Sequence, residues 1–315
     1  MAGTAQHDYR KYLDPNVLAK IDGLELRARL IVEGFFSGMH HSPHRGVSVE
    51  FADHRAYTQG DDLRHIDWKV FAKTDKYYIK EYEQETNLNL MIVVDASGSM
   101  NYRSETSAMT KYEYASTIAA AIAYLTLQQQ DSVGLARFDE RVTDFIRPSN
   151  AAHHWKSLIQ ELSHEGGKTQ TSIGSVLGEL AERLTGRMLI IIISDLFDNP
   201  DDIFRGLKQL RYRRHELIVW NIWDQAELSF PFERPVLFEG LESSGNLMAD
   251  PRALRNRYLE EAEAFQSKMR TGCGHLKAEF SLFDTSVSMD VALSEYLATR
   301  SARLRQRSSR IMGGS

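Results

Sequence analysis

The sequence predicts an α/β fold: a doubly wound, mostly parallel sheet with helices on both faces. From Leu88 onward, short apolar runs of strand length alternate with longer stretches of helical spacing, the rhythm of a parallel sheet covered by crossover helices. The run Met188–Ile193 is apolar throughout, as expected of a central strand buried on both faces. Two of these runs end in an aspartate, Asp95 and Asp195, at the position where such sheets present ligand-binding loops.

Near the N-terminus, Leu18, Ile21, Leu24, Leu26, Leu30, Ile31 and Phe35 recur at helical spacing. Asp14 caps this helix and Pro15 is its first residue, which predicts one amphipathic helix from Leu13 to about Gly38. Val47, Val49 and Phe51 alternate with polar residues, as do residues from Tyr78 to Gln84, so residues 1–86 read as an α+β segment. The alternation then begins. Leu88–Val94 reads as a buried strand, Lys111–Gln129 as an alanine-rich helix, and Ser132–Phe138 with Arg141–Ile146 as two strands joined at Asp139-Glu140. Helices over Ala151–Leu162 and Ser172–Leu184 precede the Met188–Ile193 strand, and a helix over Pro200–Tyr212 precedes a strand over Glu216–Trp223. Beyond it come a hairpin around Ser243-Ser244-Gly245, a charged helix from Pro251 to Lys268, a strand over Ala278–Phe283 and a last helix over Met289–Arg305. The expected organisation is an N-terminal segment, residues 1–86, and an α/β domain with a C-terminal extension, residues 87–315.

Composition narrows the function classes. With 42% apolar and 26% charged residues the chain is of ordinary globular make-up, which argues against disorder and fibrous folds. The single cysteine, Cys273, cannot form an internal disulfide or a cysteine-rich zinc site and is expected as a buried thiol in a reducing compartment. No apolar run approaches the roughly 20 residues of a membrane-spanning helix, and the first residues lack a signal-peptide core. The expectation is a cytoplasmic protein. The net charge of −5 is concentrated in the middle of the chain, so a polyanion-binding role has no support; Arg300, Arg303, Arg305, Arg307 and Arg310 read as a solvated helix end.

The chemistry gathers on three loops. Asp95-Ala96-Ser97-Gly98-Ser99 leaves the first buried strand; Gly166-Gly167-Lys168-Thr169-Gln170-Thr171-Ser172 precedes a helix; and Asp195 follows the deepest strand. Carboxylates and hydroxyls are hard oxygen donors suited to a small divalent cation such as Mg²⁺, while the lack of histidine and cysteine alongside disfavours zinc. If the strands bearing Asp95 and Asp195 are neighbours at the point where strand order reverses, one ion can serve both. Taken alone, Asp-x-Ser-x-Ser also suits an ordinary strand-ending turn.

The order Asp-x-Ser-x-Ser, then a glycine-preceded threonine, then a strand-terminal aspartate is similar to the metal-ion-dependent adhesion site of von Willebrand factor type A domains. Residue by residue, that resemblance implies Mg²⁺ or Mn²⁺ held by Asp95, Ser97, Ser99, Thr169 and Asp195, with Thr171 competing for the place of Thr169. A second resemblance covers residues 45–100. Arg45-Gly46-Val47-Ser48-Val49-Glu50-Phe51-Ala52-Asp53-His54-Arg55-Ala56-Tyr57, Gly60-Asp61-Asp62-Leu63-Arg64-His65-Ile66-Asp67-Trp68, Ile79-Lys80 and Glu85 resemble the signature of bacterial domain-of-unknown-function family 58, which in that family leads directly into a type A domain. It implies a protein commonly encoded beside MoxR-type AAA+ ATPases and thought to act with them in chaperone-like maturation or regulation of a client protein, without catalytic residues.

Enzyme alternatives meet specific obstacles. A haloacid-dehalogenase-type phosphatase needs a second aspartate where Ser97 stands, Gly166-Gly167-Lys168-Thr169 lacks the leading glycine of a phosphate loop, and Ser97-Gly98-Ser99 lacks the first glycine of a nucleophile elbow. A Mg²⁺-dependent phosphoester hydrolase using the same oxygen ligands is the competing reading. His40, His41 and His44 read as a solvated loop. Gly60–Lys69 reads as a turn with a salt-bridged element, and the arginines of 205–214 as a basic helix end.

Overall fold

The computed structural model describes residues 13–40, 54–56, 78–80, 88–167, 169–234, 236–239, 241, 245–294 and 296–298. It divides into two compact units: residues up to Gly38 together with those from Leu88, and the segment Met39–Asn87. Within the latter segment, β1 (His54–Ala56) and β2 (Tyr78–Lys80) pair antiparallel, Arg55 opposite Ile79. The expected strand at Val47–Phe51, most of the family signature, the strand residues Lys80 onward to Gln84 apart from Lys80 itself, and the arginines from Arg300 lie outside the described residues.

The larger unit is built on six strands: β3 (Asn89–Asp95), β4 (Ser132–Phe138), β5 (Val142–Ser149), β6 (Leu189–Ser194), β7 (Glu216–Trp223) and β10 (Glu279–Asp284). Their order is β10-β7-β6-β3-β4-β5, parallel throughout except for the edge pair β4–β5. This is the expected α/β sheet. Every residue of β6 is buried, which explains a run of isoleucines with no alternation: both faces are covered by helices. The strand β5 shows the complementary rule. It is antiparallel, lies at an edge and is partly exposed along its length, and its Pro148 sits where a missing N–H costs least.

The helices are α1 (Pro15–Leu18), α2 (Leu24–His40), α3 (Lys111–Gln128), α4 (His154–Leu162), α5 (Ile173–Arg183), α6 (Pro200–Tyr212), α7 (Gln225–Ser229) and α8 (Pro251–His275). A further helical stretch runs over 290–294 and 296–298. One face of the sheet packs Met91, Val93, Ile190, Ile192, Leu217 and Val219 against Val176, Leu177 and Leu180 of α5 and Ile203, Leu207 and Leu210 of α6. Met269 and Cys273 of α8 join that core; Cys273 is free and buried, and burial pushes its thiol up to about 12. Between α7 and α8 along the chain, β8 (Val236–Glu239) and β9 (Asn246–Ala249) form the expected antiparallel hairpin, its turn residues Ser243 and Ser244 lying outside the described residues.

Two expectations are corrected. The N-terminal helix is two helices, not one: Asp14 caps α1 as expected, but Gly23 adopts φ +89°, a left-handed conformation that ends the first helical register before α2 starts. The division of the chain also differs from a single boundary at 86/87. The α2 residues Leu24, Ala28, Ile31, Val32 and Phe35 are buried, an apolar stripe that needs a partner surface, and residues up to Gly38 belong to the same compact unit as the sheet. Leu13 O accepts hydrogen bonds from Met289 N–H and Ser288 Oγ, tying the two ends of that unit together.

Candidate functional site

The site forms at the carboxyl ends of β3 and β6. These strands are adjacent, Val94 opposite Ile193, and β4 lies on the other side of β3, so the strand order reverses between them. Asp95 is the last residue of β3 and Asp195 the first after β6, and both are buried.

Asp95 is held from two sides. Its Oδ1 accepts Ser97 N–H at 2.9 Å and its Oδ2 accepts Ser194 Oγ–H at 2.6 Å. Burial, with the charge of Asp195 beside it, raises the Asp95 carboxyl to about 7, outweighing the hydrogen bonds that favour its ionised form. Among the described residues no basic side chain pairs with Asp95. Ser97 Oγ and Ser99 Oγ lie 3.2 Å apart, so the alternating hydroxyls of this loop do converge.

The glycine-rich loop closes onto the Asp95 loop through its backbone. Gly98 N–H donates to Thr169 O at 2.9 Å and Gly167 N–H to Ala96 O at 2.5 Å, while Asn101 Nδ2 donates to Gly167 O at 2.7 Å. A Cβ on Gly167 would stand 2.9 Å from Ala96 O, which is why glycine is needed there. Thr169 Oγ1 donates to Asp139 Oδ2 at 2.7 Å, a bond that uses its proton and not its lone pairs. Thr171 Oγ1 is shielded from solvent and has no hydrogen-bond partner among the described residues. The structure thus brings Asp95, Ser97, Ser99 and Asp195 together by strand ends and joins Thr169 to them by main-chain bonds. Thr171 supplies a buried orphan hydroxyl two residues further on.

Asp195 opens a strained turn. Leu196, buried and not glycine, has φ +58°, and this left-handed residue turns the chain so that Phe197 N–H donates to Asp195 Oδ1 at 3.2 Å while the Phe197 ring stands 63% exposed. The other oxygen, Oδ2, accepts from Lys111 Nζ at 2.8 Å; Lys111 is 1% exposed and also donates to Glu227 Oε1 at 2.8 Å. Burial pulls the lysine down, but Asp195 and Glu227 together more than reverse this and raise it above its ordinary value. Burial likewise raises Glu227, against the pull of Lys111.

Four participants escaped the sequence reading: Lys111, Glu227, Ser194 and Asp139. Their local signals were of two kinds. Thr110–Glu113 and Asp224–Glu227 are both capping boxes at helix starts, and these starts bring Lys111 and Glu227 to the same end of the sheet as Asp195. Ser194 and Asp139 stand at strand ends, where any polar side chain faces the loops.

The donor set fits a hard divalent cation. Two buried carboxylates side by side, one without a basic partner among the described residues, are costly unless protonated or matched by positive charge, and hydroxyl oxygens complete an oxygen-only environment. Among the described residues no three His, Cys, Asp or Glu side chains cluster as a metal cage, so the hydroxyls are essential to any such site.

Comparison with known proteins places these features in context. The family described as "Protein of unknown function DUF58" matches residues 53–268. Uncharacterized protein Mb1516 of Mycobacterium bovis and uncharacterized protein Rv1480 of Mycobacterium tuberculosis are each 27% identical to this chain over 273 residues, covering 83% of it and 83% of their own length. Among solved structures, conserved hypothetical protein BatB from Bacteroides thetaiotaomicron aligns with 68% of this chain and 99% of its own at 16% identity and a TM-score of 0.46. An aerotolerance-related membrane protein from Bacteroides fragilis aligns with 66% and 97% at 18% identity and a TM-score of 0.42. The SpRpn10 VWA domain aligns with 66% and 94% at 12% identity and a TM-score of 0.40. The cytoplasmic expectation is corrected here: the Bacteroides fragilis neighbour is described as a membrane protein, and a Vibrio fischeri neighbour as membrane spanning. Those words describe those proteins; among the described residues of this chain no helix is long and apolar enough to cross a membrane.

Proposed function

The chain belongs to the DUF58 family, and on that premise we propose that it is a non-enzymatic protein-binding module whose docking point is a divalent cation, Mg²⁺ or Mn²⁺. The observation that carries this reading is the pair Asp95 and Asp195, buried at the reversal of strand order, with Asp95 lacking a basic partner among the described residues and Ser97, Ser99 and Thr169 offering oxygens beside it.

Asp95, Ser97, Ser99, Thr169 and Asp195 are the residues that would hold the ion. The ion, when bound, supplies an electrophilic point that takes a carboxylate oxygen from a partner as a ligand. The chain's own groups prepare this. Ser194 and Ser97 N–H orient Asp95, Asp139 draws the proton of Thr169 away from its lone pairs, and the Leu196 turn exposes Phe197 at the rim as an apolar contact. The partner in this reading is a MoxR-type AAA+ ATPase or its client, presenting an acidic side chain.

Titration calorimetry with Mg²⁺ and with Mn²⁺ tests the metal. Binding by the wild type that is lost in Asp95→Ala supports it, and identical traces for the two proteins overturn it. Thr169→Val and Thr171→Val separate the two threonines, the expected loss falling on Thr169→Val. For the partner, binding of the purified ATPase should require the metal and vanish with EDTA; metal-independent binding removes the docking role from this site. Turnover of phosphoesters that depends on Asp195 would establish the hydrolase reading instead.

A further inference from the structure

A lysine ammonium buried at 1% exposure beside a candidate metal centre needs an explanation that capping and packing do not give. Lys111 is the first residue of α3, where a cation is disfavoured by the helix dipole, and its aliphatic stem carries the charge inward to Asp195 and Glu227 rather than out to water. Tyr102 covers it, with Nζ 5.9 Å from the ring centroid. The two carboxylates come from separate elements, Asp195 from the end of β6 and Glu227 from α7, so the ammonium joins three parts of the sheet's loop edge.

We infer that Lys111 is the resident counter-cation of this site: it holds Asp195 in place in the metal-free protein and weakens divalent binding there, so that the metal stays exchangeable. The inference rests on the metal-docking reading above and deepens it. The charge arithmetic is direct. Asp95, Asp195 and Glu227 contribute three negative charges when ionised, and Lys111 removes one of them, so a divalent ion meets a net charge of −2 from these four groups rather than −3. Holding Asp195 Oδ2 by hydrogen bond also leaves it fewer lone pairs to offer. A weakly held ion suits a docking point completed by a partner, because the partner's carboxylate then supplies the missing negative charge and the two binding events reinforce one another.

The test is a charge cycle read by calorimetry with Mg²⁺ and Mn²⁺ on the full chain. Lys111→Met is expected to bind roughly tenfold or more tightly than wild type, Glu227→Gln roughly tenfold more weakly, and Lys111→Met/Glu227→Gln close to wild type, since the net charge returns to −2. Thermal unfolding in EDTA should show Lys111→Met destabilised and rescued by Mg²⁺ to a greater degree than wild type. Folded Lys111→Met that binds metal no more tightly than wild type overturns the inference. Should Lys111→Met fail to fold even with metal, Glu227→Gln decides, and unchanged affinity in it overturns the inference equally. These outcomes leave the docking reading standing as long as wild type binds and Asp95→Ala does not. Failure of wild type and Lys111→Met alike to bind metal removes both.

Discussion

Ser194 Oγ donates a 2.6 Å hydrogen bond to Asp95 Oδ2 and accepts one of 2.8 Å from Leu196 N–H, so one hydroxyl links both aspartate-bearing strands and the strained turn that follows. Ser194→Ala leaves a buried carboxylate oxygen and a buried amide without partners. Such losses cost about 1–3 kcal/mol each. Chemical unfolding of this variant should show a destabilisation of about 2–6 kcal/mol for the two groups together, and Mg²⁺ affinity should fall because Asp95 is no longer oriented. A variant as stable as wild type would mean that the hydroxyl is replaceable by water.

The raised Asp95 carboxyl fixes the direction of a pH effect in metal-free protein. Its value of about 7 in the folded state lies above the ordinary 3.8, so the folded chain holds this proton more tightly than the unfolded one. The contribution to stability is fully present below about pH 4 and is lost as pH rises through about 7. Unfolding measured in EDTA across that window should therefore show wild type losing stability relative to Asp95→Asn, which cannot ionise. A constant difference between the two proteins over the window would contradict the shift. The same sign makes divalent ions bind better as pH rises, since the ligating form is the carboxylate.

Gly167 and Gly274 offer a paired test of backbone approach. A methyl on Gly167 meets Ala96 O at 2.9 Å, a main-chain atom that cannot swing away, so Gly167→Ala must separate the two loops that carry Thr169 and Ser97. Overpacking of this kind costs about 1–3 kcal/mol, and metal binding should weaken with it. Gly274 lies inside α8 with nothing within 4 Å of an added Cβ, so Gly274→Ala should stabilise by about 0.5–1 kcal/mol through helix propensity. Denaturant midpoints of the two variants moving in opposite directions is the expected result.

Much of this site is visible in the sequence because strand ends are legible. Asp95 and Asp195 follow runs too apolar to be anything but interior strands, and the topology then brings them side by side. Lys111 is not legible in that way. A lysine after Thr110 at a helix start reads as a solvent-facing charge, and only the tertiary fold shows that Asp195 and Glu227, 84 and 116 residues further along, close over it. The break between α1 and α2 was hidden for a local reason: Asp22-Gly23 interrupts a helical apolar spacing that continues on both sides, and periodicity alone carries no record of the positive φ at Gly23.

Phe197 separates docking from metal binding. Its ring is 63% exposed one turn beyond Asp195, held there by the Leu196 conformation and the bond from its own N–H to Asp195 Oδ1. An exposed aromatic contributes little to folding, so Phe197→Ala should change stability by less than about 0.5 kcal/mol. Its side chain offers no oxygen to an ion, and Mg²⁺ affinity should stay at the wild-type value. Binding of the partner proposed above, a MoxR-type ATPase or an acidic client, should nevertheless weaken by roughly tenfold or more, the loss typical of an aromatic anchor beside a polar contact. Calorimetry of the metal and of the partner on the same protein provides both numbers. Partner affinity equal to wild type would move the interface away from this rim, whereas a loss of both affinities would show that the ring supports the Asp195 turn rather than the partner.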